Sequence, residues 1–134
     1  MKNKKMIENN VEDEYWWYGL HDSVLTDIKC GEITPDYSIK NYRYNYLKFF
    51  LDTEHAIGEP VKEITFYNYS ASWKGGNIKD FSFYKGSWWI SDSLEKKGDK
   101  WVLTLTLTHI EKHHPVDEII TINFEQLEVV REED

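Results

Sequence analysis

Five histidines and one cysteine are the side chains of this 134-residue sequence with the widest chemical reach, and their spacing decides what they can do. His21-Asp22 is the dipeptide that metal-dependent phosphohydrolases use to hold a divalent ion. Those enzymes place it on a helix, with further His and Asp ligands on neighbouring helices. Here Ser23 to Ile28 reads as a strand, and the bland role fits better: Asp22 accepts backbone N–H groups where the strand begins, with His21 packed beside it. His109, His113 and His114 are enough ligands for an open zinc site. His113 and His114 fall in a turn-like stretch, however, and neighbours on a strand point to opposite faces. Cys30 would need a base beside it to become a nucleophile. None is apparent, and a small buried residue at a strand end is the expected role. There is no phosphate-binding glycine loop, nucleophile elbow or paired-cysteine metal spacing. The expectation is therefore no catalytic residue, no metal site and no cofactor.

Charge and aromatic content point to binding instead. The net charge is −8, and the basic residues are 14 Lys against two Arg, Arg43 and Arg131. Neither a positive field for phosphates nor a set of arginine forks is present, so nucleic-acid binding is not expected. Residues 8–36 carry a net −7 and residues 117–134 a net −6. Side by side in the fold, these ends would form one negative face for a basic partner. Equally, they could serve only to keep the surface soluble. Tyr15-Trp16-Trp17-Tyr18 and Trp88-Trp89 add aromatic side chains of the type that anchors interfaces. Since strand neighbours face opposite ways, each pair either packs two sides of a covered sheet or leaves one ring for a partner. Tyr42, Tyr44 and Tyr46 would share one side of an extended segment, opposite Leu47, Phe49 and Leu51.

The elements that must position these side chains are strands. Trp101, Leu103, Leu105 and Leu107 alternate with Val102, Thr104, Thr106 and Thr108, the period of a half-buried strand. Trp88–Leu94 is a second run, and Lys96-Lys97-Gly98-Asp99 between them supplies a hairpin turn in which Gly98 takes a positive φ. Ile120, Ile122 and Phe124 alternate likewise, followed by 127–131. Earlier candidates are 24–30, 46–51 and 61–69, with a short strand at 81–84 entered through Gly75-Gly76. Apolar residues at 7, 11 and 15 allow one short N-terminal helix over 7–17. The fold class expected is mainly β within a single domain, residues 1–134. It is an antiparallel sheet of six to seven strands, sandwich-like or a partial barrel. The chain carries no apolar run of membrane-spanning length and no signal-peptide pattern, and its lone cysteine suits a reducing, cytoplasmic setting.

Leu20-His21-Asp22-Ser23-Val24-Leu25-Thr26-Asp27-Ile28 resembles the opening strand of a group of small β-rich bacterial proteins, some of them similar to immunity proteins of polymorphic-toxin systems. Ile120-Thr121-Ile122-Asn123-Phe124-Glu125-Gln126-Leu127 resembles their closing strand. The resemblance covers under a fifth of the chain and implies a compact β fold that binds without catalysis. His21 and Asp22 match its motif, while the aromatic run 15–18 and the tryptophan-rich middle do not. The Lys-, Asn- and Ile-rich composition is compatible with an AT-rich bacterial genome. Together these readings predict a non-enzymatic cytoplasmic binding protein, an immunity-type inhibitor of a basic, toxin-like partner. The partner-binding residues expected are Trp16, Trp17, His21, Asp22, Glu128, Glu132 and Glu133. The alternatives are a small-molecule binder, in which Trp88, Trp89 and Trp101 line a pocket with His109 at its mouth, and an oligomeric accessory domain joined through a strand edge.

Overall fold

A computed structural model describes residues 3–7, 18–20, 22–33, 44–54 and 59–131. The strands are β1 (Asn3–Ile7), β2 (Tyr18–Gly19), β3 (Val24–Ile33), β4 (Tyr44–Asp52), β5 (Glu59–Tyr67) and β6 (Ser70–Trp73). They continue with β7 (Gly76–Asn77), β8 (Trp88–Lys97), β9 (Lys100–Glu111), β10 (His114–Phe124) and β11 (Gln126–Arg131). A single 3₁₀ turn, Ser82–Tyr84, interrupts them, and no α-helix occurs among the described residues.

Alternation in the sequence becomes alternation in space. Along β9, Trp101, Leu103, Leu105 and Leu107 are buried, while the threonines between them face outward. β10 repeats the pattern with Ile120, Ile122 and Phe124, and β4 with Leu47, Phe49 and Leu51. Two-residue loops set the registers. Gly98 has φ 65 between Lys97 and Lys100, a positive value at the first loop position that suits the right-handed twist of a hairpin. The β9–β10 loop is made by Lys112 (φ 49) and His113 (φ 68), two side-chain-bearing residues held where glycine or asparagine is favoured.

The sheet runs in the order β1-β11-β5-β4-β3-β8-β9-β10-β6-β7, with the two residues of β2 pairing in parallel to β5. Every other pairing is antiparallel. The join in the middle is slight: β3 and β8 share the single bridge Val24–Trp88. Four backbone bonds cross it, from Trp89 to Ser23, Leu25 to Ser87, Gly86 to Leu25 and Asp22 to Trp89, at 2.7–2.9 Å. About this join the apolar faces of the two halves meet. Phe66 of β5 lies 5.0 Å, ring centre to ring centre, from Phe124 of β10, and Phe49 of β4 packs edge-on against Phe66 and Trp89. Each such side chain stabilises the fold by about 1.5–3 kcal/mol through its removal from water.

Several expectations need correction. The ladder is one open sheet, with nine strands of four residues or more and two short ones, in place of the six to seven strands of a sandwich or partial barrel. The extra strands arise because Asn68 (φ 53) ends the expected 61–69 run at Tyr67 and the chain resumes as β6 from Ser70, and because a basic N-terminal segment pairs with β11. Residues 82–84 form a 3₁₀ turn where a strand was expected, since Asp80 accepts a hydrogen bond from the Ser82 N–H at 2.9 Å and closes the chain locally. Ile7, the first residue of the proposed helix, ends β1; residues 8–17 lie outside the described residues. His114 opens β10, so the turn holds only one of the two neighbouring histidines. Cys30 is exposed on β3.

Candidate functional site

The β6–β7 hairpin and the segment that follows it build a cleft at one end of the folded sheet. Lys74 (φ 50) and Gly75 (φ 82) turn the chain from Trp73 back to Gly76, and Ile78 returns to the sheet through a bond from its N–H to the Ala71 carbonyl at 2.9 Å. The 3₁₀ turn then presents Phe83 and Tyr84. Between hairpin and turn lies a half-open cleft of about 360 Å³, lined by Trp73, Gly76, Asn77, Ile78, Lys79, Asp80, Phe83 and Tyr84. That volume is in the range of small-ligand sites.

Its aromatic side chains are differently held. Tyr84 is buried, whereas Phe83 is 56% exposed and packs edge-on against both Tyr84 and His109, with ring centres 5.3 and 5.1 Å apart. Trp73 donates its indole N–H to Oε1 of Glu118, on β10, at 3.0 Å, and the Lys74 ammonium stands 4.6 Å above its ring. Burial, and then the negative charge of Glu118, pushes the Tyr84 phenol above its usual range, so it remains a neutral donor. The Asp80 carboxyl is held lower than usual by its bonds to the backbone and side chain of Ser82. His109 reaches Glu111 with Nε2 at 3.3 Å, and its buried Nδ1 has no partner among the described residues. The cleft thus offers aromatic surface and the carboxylates of Asp80 and Glu118, with the buried Nδ1 of His109 behind Phe83.

Of the partner-binding residues expected from sequence, Asp22 and Glu128 are among the described ones. Trp16, Trp17, His21, Glu132 and Glu133 lie outside the described residues. Asp22 occupies a turn with φ 68 and donates its backbone N–H to the Trp89 carbonyl at 2.8 Å. Glu128 is buried, 8% exposed, and accepts a hydrogen bond from the Tyr67 hydroxyl at 3.0 Å, which removes it from the charged surface. In the β1–β11 ladder, Asn3 opposes Arg131 and Ile7 opposes Leu127. Of the acidic segments 8–36 and 117–134, five of the eight acids of the first and the last three of the second lie outside the described residues. Trp89 is fully buried and donates to Asp92 at 2.6 Å, Trp101 is buried, and Trp88 lies 37% exposed, so these three rings do not line one pocket. The metal expectation concerned His109, His113 and His114; among the described residues no group of three or more His, Cys, Asp or Glu is arranged to hold an ion.

Sequence reasoning passed over Trp73, Phe83 and Glu118. The available signal was a large aromatic directly before Lys74-Gly75-Gly76, an apolar side chain at a turn, where it has little core to enter. No helix among the described residues is long and apolar enough to cross a membrane. Comparison with protein-family models, curated proteins and solved structures finds no match.

Proposed function

We infer that this chain is a non-enzymatic binding protein of the bacterial cytoplasm, an immunity-type inhibitor whose partner is a basic protein such as a toxin. The observation that carries the reading is the cleft itself: an exposed Phe83 and a partly exposed Trp73, with the carboxylates of Asp80 in its lining and of Glu118 bound to the Trp73 indole. An apolar anchor ringed by carboxylates suits a basic surface that also offers an apolar side chain. The net charge of −8 would speed encounter at low salt, and the aromatic side chains would slow dissociation. The exposed thiol of Cys30 fits a reducing compartment.

The test is capture from native lysate with the tagged protein and its Phe83→Asp variant, at low and moderate salt. One basic protein retained by the wild type, diminished by salt and lost with Phe83→Asp, is the expected result. Capture indifferent to both salt and the substitution would overturn the reading.

A second reading has its own support. The cleft volume and the unpartnered Nδ1 of His109 behind Phe83 fit a small aromatic or sugar-like ligand that brings a hydrogen-bond donor or acceptor. A small-molecule thermal-shift screen in which hits disappear with His109→Phe would favour it.

A further inference from the structure

β10 is paired with β9 along its whole length, from His114 opposite Glu111 to Phe124 opposite Trp101. On its other side β6 covers only Ile120–Asn123. β6 stops at Trp73 because Lys74 and Gly75 turn the chain away into β7. Among the described residues, the backbone of 114–119 therefore has a ladder partner on one side only. Asp117 and Ile119 are exposed, Val116 and Glu118 half-buried. Pro115 has no N–H to offer, which leaves Val116–Ile119 as the stretch able to accept a further strand. Glu118, within that stretch, is tied to Trp73 at the wall of the cleft.

We propose that an extended segment of a basic partner adds to β10 along Val116–Ile119, turning an apolar side chain into the cleft at Trp73, Phe83 and Tyr84 and a basic one toward Asp117. This deepens the binding-protein reading and rests on it. Open backbone N–H and C=O groups of a strand are complemented by another strand, and side chains pointing alternately up and down give that strand its specificity. Charge selects the occupant. In an antiparallel pairing of two copies, Asp117 and Glu118 of each would stand opposite those of the other, and like charges across a ladder repel. Two chains of net −8 repel further. A segment alternating Lys with apolar residues meets Asp117 on one face and the cleft on the other. Because the ladder is short, the apolar anchor supplies most of the affinity and the backbone bonds set direction and register.

The experiment uses the full chain with an acetylated, amidated hexapeptide of alternating Lys and Phe, followed by amide NMR shifts and by titration. Shifts are expected at Val116–Ile119 and around Trp73–Tyr84. N-methylation of alternate peptide amides, on the side that faces β10, keeps every side chain yet should weaken binding by at least about tenfold through the lost ladder bonds. Alternating Lys and Ala should lose as much, and Asp117→Lys in the protein should weaken binding by about fivefold with a flatter salt dependence. Equal binding of both N-methylated registers would overturn strand addition while leaving the cleft, and the binding-protein reading, standing. No shift at millimolar peptide would overturn the proposal, as would self-association through the same amides without peptide, which would assign the edge to a second copy. The lysate experiment reads the parent proposal independently, through Phe83.

Discussion

Two parts of β10 obey the same alternation and end in different environments. Ile120, Ile122 and Phe124 are fully buried, with β9 on one side and β6 on the other through Asn123. Two to eight residues earlier, Val116 and Glu118 occupy the same face of the same strand but are only half-buried, Glu118 being bound to Trp73 at the cleft, and Ile119 is 58% exposed on the other face. A second neighbouring strand is what separates core from surface here, because it closes the backbone's hydrogen bonds and brings the opposing half of the sheet over the apolar face. Where β6 turns away, the same pattern is left with a ladder partner on one side among the described residues.

The comparison is most directly broken by truncating one residue on each side. Phe124→Ala removes a ring packed against Phe66 at 5.0 Å and should cost about 3–5 kcal/mol in urea unfolding, whereas Ile119→Ala should stay within about 0.5 kcal/mol. Similar costs at both positions would mean that the two parts of β10 are equally supported. Smaller effects are expected at the loops. Gly98→Ala, at φ 65, should destabilise by about 1–2 kcal/mol, while His113→Gly, at φ 68, should stabilise by about 0.5–1 kcal/mol by relieving a left-handed conformation. Thermal unfolding of both variants checks the sign, which must be opposite for the two.

The remaining contrast is in pH response. Burial, with Cys30 adding to it, pushes the Tyr69 phenol up to about 12, against an ordinary value of 10.0. A raised folded-state value contributes stability that is complete below the unfolded value and is lost as pH rises toward the folded one. Stability should therefore fall between about pH 10 and 12, and the fall should be shallower in Tyr69→Phe, as read by urea unfolding across that window. Identical slopes would remove Tyr69 as the cause. The smallest expected effect is at the cleft wall. Trp73→Phe deletes the indole bond to Glu118 from a partly exposed site and should change stability by less than about 1 kcal/mol, while shifting the amide signals of Glu118 and Ile119.

Much of the architecture was legible because a strand's pattern is local. The run from Trp101 to Thr108 shows its period of two, and the turn at Gly98 declares a hairpin. The same alternation puts Trp88 and Trp89 on opposite faces, while which of them is buried, Trp89, is known only from the structure. What misled was also local. Asn68 and Asp80 redirect the chain through one backbone angle and one side-chain bond, and neither leaves a mark on hydrophobic periodicity. The acidic residues expected to meet a partner were judged by count, while Glu128 is placed by the Tyr67 hydroxyl that binds it.

By itself, then, the sequence determined a β-rich chain, the members of each apolar face and two of its tight turns, because sterics and side-chain alternation act within a few residues. Only the tertiary structure decided which strands are neighbours and where pairing stops. Trp73 and Glu118, 45 residues apart, meet because β6 folds onto β10 and then leaves it. That juxtaposition depends on closing a long loop and on competing strand registers, a balance struck over the whole sheet and absent from any single segment.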